Sequence, residues 1–382
     1  MASTANQSGA IAPEQTRLPA EVQLPLGAKR LVSLDAFRGW TMFWIVGGAA
    51  LVSGLQALTP NPIINGLVYE LNHTDWQGLR FYDLIWPSFM LMTGMSVPLS
   101  YAKRSLTQSH AQIFRRVVRR CLVLFLLGSL RESINFNHPY LIELSSALQP
   151  IAIAYFIAFL MVRRSARYQA AVAVGILVSY ALVLAFVPAP GVPAGSYGRN
   201  ANLVLWVDVA TVGRVLPEHW GTVLSTLPTI STTILGMLLG EVLMSGRATG
   251  RKMQIIASIG VAAVLMGWAL NPIIPIVMKI WTASYGLASA GWSCLLFLFF
   301  FWIIDVRGHR KWAFPFVVVG MNAIAIYIAG SVVPWSKTIA IFINPLTGIL
   351  GSFTPLLQAA AVLGIEWLVL YWLYKRKIFL TA

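Results

Sequence analysis

The chain has 382 residues, of which 57% are hydrophobic and only 11% are charged. Soluble globular domains carry about 25% charged residues, so this composition excludes a soluble protein and is typical of a polytopic membrane protein. The net charge of +15 lies in short basic clusters between apolar runs. That distribution orients membrane proteins and does not indicate a nucleic-acid partner.

The chain begins with a polar segment, residues 1–28, which contains no apolar core. This segment predicts a disordered cytoplasmic tail rather than a signal peptide, followed by a transmembrane domain over residues 29–382. A membrane span needs about 20 mostly apolar residues. The sequence therefore predicts an all-α polytopic membrane protein with about ten transmembrane helices, at 34–56, 83–101, 117–134, 147–162, 168–187, 227–245, 254–272, 284–304, 314–333 and 352–374.

The basic residues are divided unevenly between the loops. With the N-terminus inside, most Lys and Arg residues fall in inner loops and flanks, among them Lys103, Arg104, Arg119 and Arg120. Because Lys and Arg favour the cytoplasmic side, the sequence predicts that both termini are cytoplasmic. The loop between the first two spans then faces outside.

The first predicted span carries two charged residues near its cytoplasmic end, Asp35 and Arg38. Their spacing of three residues places them on one face of a helix. Two interpretations stay open. They form an ion pair that fixes helix packing, or Arg38 is a cationic anchor for an anionic ligand that arrives from the cytoplasm.

A dense polar cluster precedes the second span and contains His73, Asp75, Arg80 and Asp83. Ionisable groups beside a bilayer are costly, so they are functional candidates by default. His73 is the first choice for a chemical role. Asp83 either caps the second span's helix at its positive end or orients His73, and Asp75, two residues from His73, is the other candidate for that second task.

Later in the chain, two segments place polar groups inside predicted spans. The segment 220–229 leads into the sixth span and includes Ser225 among its hydroxyl side chains, which bond to helix carbonyls or contact a ligand. Asn322 lies inside the ninth span. An amide there bridges helices or holds a thioester or a sugar.

Several short motifs occur in one order along residues 30–375: Leu34-Asp35-Ala36-Phe37-Arg38-Gly39, His73 through Asp83-Leu84-Ile85-Trp86-Pro87, Leu148-Gln149, Leu224-Ser225-Thr226-Leu227-Pro228, Trp281-Thr282-Ala283-Ser284-Tyr285, Trp302-Ile303-Ile304-Asp305 and Gly320-Met321-Asn322-Ala323-Ile324. Together they resemble the heparan-α-glucosaminide N-acetyltransferase family and its bacterial NagX-like relatives. The resemblance implies a transmembrane acyltransferase domain in a bacterial inner membrane. It also implies acetyl transfer from cytosolic acetyl-CoA to the amine of a glucosamine-type sugar on the outer side.

The resemblance further implies roles for individual residues. The family's active histidine corresponds to His73, which acts as general base or as nucleophile, with Asp75 or Asp83 orienting it. The predicted acetyl-CoA site comprises Asp35, Arg38, Lys103, Arg104, Arg119, Arg120, Ser225 and Asn322. Topology alone explains the cytoplasmic basic residues equally well. Besides the amino sugar and acetyl-CoA, the implied partners are membrane lipid and a second copy of the chain. No metal is expected, because no histidine or cysteine pair has metal-ligand spacing.

The chain departs from the family pattern at two positions. Pro150 follows Gln149 where the family commonly has arginine, and Ala49 occupies a position that often holds asparagine or an acid. These departures motivate one alternative, a degenerate member that binds CoA without turnover. A transporter for an amino sugar or another small polar solute is the main rival. A different class of membrane acyltransferase pairs an early arginine with a histidine in the same first span. Here the first histidine after Arg38 is His73, which lies in a loop, and this argues against that class.

Overall fold

A computed structural model of the protein describes residues 31–58 and 61–380, so the tail predicted at 1–28 lies outside the described residues. In this part of the chain all regular structure is helical, with isolated bridges but no strands. The helices are α1 (Val32–Phe43), α2 (Ala49–Leu58), α3 (Pro62–Glu70), α4 (Ile85–Ser105), α5 (His110–Phe136), α6 (Leu148–Met161), α7 (Ala166–Phe186), α8 (Leu203–Val212), α9 (Thr226–Met244), α10 (Thr249–Leu270), α11 (Ala283–Phe301), α12 (Phe314–Met321), α13 (Ala323–Val332), α14 (Trp335–Ile343), α15 (Thr347–Leu350) and α16 (Thr354–Lys375). The predicted all-α class is confirmed.

Six helical segments of the described residues are long and apolar enough to cross a membrane, or seven if the bent pair α12–α13 counts as one span. They are Val32–Leu58, Ala166–Phe186, Thr226–Met244, Thr249–Leu270, Ala283–Val306 and Trp335–Lys375. Helices also form at three further predicted spans. Of these, α4 and α5 are long enough, with 21 and 27 residues, but are not among the sufficiently apolar segments, and α6 has only 14 residues. The protein is therefore an all-helical membrane protein, and the count of ten stays a prediction.

Two glycines bring α1 and α12 into backbone contact. A Cβ atom at Gly39 of α1 would lie 1.7 Å from the Phe316 carbonyl oxygen of α12, and one at Gly320 would lie 2.0 Å from that of Asp35. Small residues at such crossings allow the close approach that membrane helices use for packing. Larger side chains at either glycine would push α1 and α12 apart.

The ninth predicted span is broken at Asn322, where α12 and α13 meet at a bend of 71°. The buried side chain of Asn322 donates from Nδ2 to the Ile378 carbonyl oxygen at 3.1 Å. Its Oδ1 accepts from the Leu380 amide at 2.9 Å. The amide thus holds the segment after α16 against the helix break. Of the two interpretations drawn from the sequence, this agrees with the one in which Asn322 bridges parts of the fold.

Buried side chains form two large apolar clusters that share α4 and α11. One contains Met90, Tyr155 and Tyr285, and the other contains Phe37 and Phe297. Because α4 contributes to both clusters, its first turn is firmly placed. The loop that contains His73 enters α4 at this turn, so the core fixes where that loop lies.

Candidate active site

His73 and Asp83 form a hydrogen-bonded pair at the start of α4. His73 Nδ1 lies 2.8 Å from Asp83 Oδ1, and the Asp83 side chain is fully buried whereas that of His73 is 35% exposed. An ionised carboxylate only accepts hydrogen bonds, so this contact places the proton on Nδ1 and leaves the Nε2 lone pair available. The pair therefore presents a histidine of fixed tautomer to its surroundings.

Neighbouring groups hold the pair rigidly. Asp83 lies in a short 3₁₀ helix, Phe81–Leu84, and its Oδ2 accepts from the Arg80 amide at 2.9 Å. The Arg80 guanidinium donates to the His73 carbonyl oxygen at 2.8 Å. The Tyr285 hydroxyl of α11 donates to the Asp83 carbonyl oxygen at 2.7 Å. The backbone on both sides of the histidine is thereby fixed to the helix bundle.

Aromatic rings surround His73. Its ring centroid lies 4.7 Å from that of Tyr82 and 5.5 Å from that of Trp220, both in edge-on geometry. Burial raises the pKa of Tyr82, so its phenol stays protonated and able to donate at neutral pH. The ring centroids of Trp86 and Trp220 lie 6.2 Å apart. These two rings give the site large apolar surfaces of the kind that pack against sugar rings.

A loop between α8 and α9 brings a second charged pair to the site. The Lys279 ammonium lies 3.3 Å from Glu218 Oε2, with the lysine side chain 6% exposed. Burial alone would raise the pKa of the Glu218 carboxyl, but the hydrogen bond and charge of Lys279, with smaller contributions from Trp220 and His73, hold it below its usual value. Glu218 and His219 both have positive φ, 55° and 62°. Such backbone strain is concentrated at functional sites.

The same loop is anchored by a buried carboxylate on α8. Asp208 accepts hydrogen bonds from the amides of Thr222 and Val223 at 2.9 and 3.0 Å. Burial raises the pKa of Asp208, although these hydrogen bonds act in the opposite direction. The Gly221 amide donates to the Lys279 carbonyl oxygen at 2.9 Å. The loop is therefore held in place on both sides of Trp220.

One cavity of about 550 Å³ joins the histidine to the basic helices. His73, Tyr82 and Trp220 line one end, and Arg38 and Arg120 also line it. Four of its lining residues have a buried polar atom with no hydrogen-bond partner among the described residues, namely Trp86 Nε1, Arg120 Nε, Arg131 Nε and Ser145 Oγ. Unpaired buried polar atoms are rare in native proteins, so their convergence on one cavity indicates a polar ligand.

The basic end is built from α1, α4 and α5. The Arg38 guanidinium lies 3.6 Å from Asp35, and the Arg120 guanidinium stacks over the Tyr155 ring at 4.5 Å. Burial lowers the pKa of Arg104, and the nearby charges of Arg116 and Arg120 add to this effect. Cationic groups are therefore crowded here, an arrangement that favours an anionic ligand such as a phosphate.

The structure brings together only some of the residues predicted from sequence. His73, Asp83, Arg38 and Arg120 belong to the cavity or contact its lining. Asp75 is exposed and takes part in none of the ion pairs among the described residues. Lys103 and Arg119 are exposed and do not line the cavity.

Two predicted ligand contacts are occupied by bonds within the protein. The Ser225 hydroxyl donates to the Gly221 carbonyl oxygen at 2.6 Å, and Asn322 holds the segment after α16. Gly320, Met321 and Ala323 line the cavity around Asn322, but the amide itself does not. Both polar side chains position the walls of the cavity rather than its contents.

The two departures from the family pattern lie beside the cavity. Ala49 is half-buried at the start of α2, and Pro150 is buried in the first turn of α6, and neither lines the cavity. Arg120 and Arg131 of α5 do line it. The cavity therefore retains guanidinium groups although position 150 has none.

Sequence reasoning missed residues that are far from His73 in sequence but belong to the site. They are Glu218, Lys279 and the cavity-lining pair Arg131 and Glu132. Lys279 had one available signal, because it is a rare lysine in a loop predicted to face outside, beside the motif that begins at Trp281. The described residues contain no group of three or more His, Cys, Asp or Glu side chains that could hold a metal ion.

No family model matches the chain. It is similar to heparan-alpha-glucosaminide N-acetyltransferase from Mus musculus, with 22% identity over 420 residues, covering 92% of this chain and 60% of the mouse protein. It is also similar to the Homo sapiens protein of the same name, with 22% identity over 381 residues, covering 82% of this chain and 54% of the human protein. The chain thus spans less than two thirds of the length of either relative.

Proposed function

We propose that this chain is a membrane N-acetyltransferase that moves acetyl from acetyl-CoA to the amine of a glucosamine-type sugar. The observation that carries the proposal is the single cavity that joins the His73–Asp83 pair to Arg38 and Arg120. One end offers a group suited to acyl-transfer chemistry, and the other offers cationic groups suited to phosphates. The similarity to two N-acetyltransferases supports the same conclusion.

The proposal includes a topology. We place residues 29–382 in one transmembrane acyltransferase domain of the NagX-like type, with ten spans, both termini in the cytoplasm, in a bacterial inner membrane. The uneven division of Lys and Arg residues supports this orientation. The end of the bundle with His73 then faces outside, and the end with Arg104 and Arg119 faces the cytoplasm.

At the cytoplasmic end, the residues fit the donor. Arg38 and Arg120 line the cavity. Arg104 lies close enough to Arg120 for the charge of Arg120 to lower the pKa of Arg104. Guanidinium groups bind phosphate oxygens in bidentate geometry, and the buried Arg120 Nε has no hydrogen-bond partner in the part of the chain that the structure describes. These groups would hold the phosphates of acetyl-CoA while its thioester lies further along the cavity.

His73 has two routes to the same products. As general base, Nε2 takes a proton from the sugar amine while the amine nitrogen attacks the thioester carbonyl carbon. The carbon–sulfur bond then breaks and the departing thiolate receives the proton. As nucleophile, Nε2 itself forms a bond to the carbonyl carbon as the thiolate leaves, and the amine then displaces the imidazole. In both routes Asp83 stabilises the positive charge that develops on the imidazole.

The proposal is tested with purified protein in detergent, acetyl-CoA and glucosamine. We expect N-acetylglucosamine and free CoA from the wild type, and loss of both in His73→Ala with acetyl-CoA binding retained. His138→Ala is the matched control, because this exposed histidine does not line the cavity. Wild-type activity in His73→Ala would refute the assignment. Protein-bound acetyl in the absence of sugar would select the nucleophile route.

A solute transporter is the second candidate, favoured by the extent of the same cavity from His73 to Arg38. It predicts that sealed vesicles containing the protein take up glucosamine without acetyl-CoA, in wild type and His73→Ala alike. Acetyl transfer across the vesicle membrane, with no uptake of unmodified sugar, would exclude it.

A further inference from the structure

A second cavity of about 360 Å³ lies beside the first, between α13, α14 and α16. Cavities that bind small ligands have volumes of about 300–1,000 Å³, so this one is large enough for a small organic molecule. Ile45, Arg131 and Tyr327 line both cavities and form the partition between them. A molecule in the second cavity would therefore lie next to the space that His73 lines.

Three residues that line this second cavity have a buried polar atom without a hydrogen-bond partner. They are Glu366 Oε2, Trp335 Nε1 and Arg131 Nε. Glu366 is the strongest indication of a ligand, because it is only 3% exposed and takes part in no ion pair among the described residues. A carboxyl oxygen buried without a hydrogen-bond partner is unfavourable, so the cavity indicates a ligand that supplies one.

The charges around the cavity favour a cationic ligand at Glu366. Arg131 of α5 also lines the cavity. It already has a carboxylate partner in Glu132, and its guanidinium stacks over the Tyr327 ring at 4.1 Å. Lys337 also lines the cavity but is exposed. Glu366 is therefore the buried ionisable side chain of this cavity that has no charged partner among the described residues. The two free N–H donors, on Trp335 and Arg131, call for acceptor oxygens on the same ligand.

We propose that the second cavity binds a primary ammonium ion on a small hydroxylated molecule, with the ammonium at Glu366 and hydroxyl oxygens at Trp335 and Arg131. An amino sugar has this chemistry. This inference rests on the proposed function in one respect: it makes the cavity the site where the acceptor waits before it reaches His73.

The test is equilibrium binding of radiolabelled glucosamine to the purified full-length protein without acetyl-CoA. We expect saturable binding that Glu366→Gln weakens at least tenfold, since the amide keeps the shape of the side chain but not its charge. Glu241→Gln is the matched control, because Glu241 is a helix carboxylate that already has a partner, Gln169 Nε2 at 2.7 Å. N-Acetylglucosamine, which lacks the ammonium, should compete poorly.

Trp335→Phe provides a second variant, because it removes the indole donor and keeps an aromatic ring. It should weaken glucosamine binding less than Glu366→Gln does. Glu366→Leu should abolish this binding and raise the melting temperature of the ligand-free protein, since it removes a buried polar atom that has no partner. A lower melting temperature with unchanged binding would show that Glu366 is structural and would overturn the inference.

The outcomes separate this inference from the proposed function. Unchanged binding in Glu366→Gln, with acetyl transfer still dependent on His73, would overturn the inference alone. Glu366-dependent binding without acetyl transfer in any preparation would support the site and count against the acetyltransferase. Binding of an ethanolamine phospholipid, but not of glucosamine, at Glu366 would also overturn the inference, because the ammonium would then come from a lipid headgroup.

Discussion

The two ends of the main cavity are built in different ways. At one end, His73, Asp83 and Arg80 are joined by hydrogen bonds of 2.8 to 2.9 Å, and Asp83 is fully buried. At the other, Arg38 lies 3.6 Å from Asp35, and Arg120 Nε has no partner. A group that does chemistry needs fixed geometry, whereas a group that binds phosphate needs charge and free donors. The difference indicates a reaction end and a binding end.

The largest expected effect follows from the reaction end. Asp83→Asn should lower kcat by about 10²–10⁴-fold, because the amide can donate to Nδ1 and shift the imidazole proton to Nε2. Acetyl-CoA binding should persist. The measurement is steady-state turnover together with donor binding.

Asp75→Asn is the matched control for this variant, since Asp75 is exposed two residues from His73. Equal losses in the two variants would show that the His73–Asp83 contact does not set the tautomer. Retained activity in both would move the role of the pair from chemistry to structure.

At the binding end, the expected effect is smaller and falls on affinity. Arg120→Gln should weaken acetyl-CoA binding by about 10–100-fold, the loss of a charged hydrogen bond worth about 1.5–3 kcal/mol. kcat at saturating donor should change little. The affinity of the wild type should also fall as salt is added, because phosphate contacts are screened.

Arg119→Gln offers a sharp comparison on the same helix. Arg119 is exposed and lies outside the cavity, whereas its neighbour Arg120 lines it. If both variants lost affinity equally, the basic cluster would act only through its overall charge, and the distinction between the two ends would fail.

The loop over His73 should respond in stability. Asp208→Ala leaves the amides of Thr222 and Val223 without their acceptor, and each unpaired buried group costs about 1–3 kcal/mol. Thermal unfolding in detergent should show the loss, with a smaller loss for Asp208→Asn, which keeps one acceptor oxygen. Identical melting temperatures for all three proteins would mean that the loop is held by other contacts.

The smallest expected effect concerns acid pH. Lys279 holds the pKa of Glu218 below its usual 4.5, so the ion pair stabilises the loop above that value and is lost as pH falls through the lowered pKa. In Lys279→Met this ion pair is absent, and Glu218 should take up its proton at higher pH, because burial then raises its pKa. The signal is Trp220 fluorescence, obtained by subtracting a Trp220→Phe titration. Superimposable acid transitions would contradict the role of Lys279.

The choice between neighbouring residues shows where sequence reasoning stops. Asp75 and Asp83 were equal candidates for orienting His73, yet only Asp83 reaches it, since the 3₁₀ helix at Phe81–Leu84 turns its carboxylate back toward the loop. Arg119 and Arg120 are adjacent in sequence but about 100° apart around a helix of 3.6 residues per turn. Which of the two faces the cavity depends on the helices packed against α5.

The sequence alone determined the class of protein and its helical character, and it singled out His73 as the first candidate for a chemical role. Apolar length, charge content and local clustering are properties of short stretches of chain, so they can be recognised before folding is known. The tertiary structure alone decided which partners meet. Glu218 and Lys279 lie 61 residues apart in sequence, and Glu366 joins Arg131 only where separate helices enclose a cavity. Such pairings depend on helix packing, because no local pattern encodes which faces of distant helices meet.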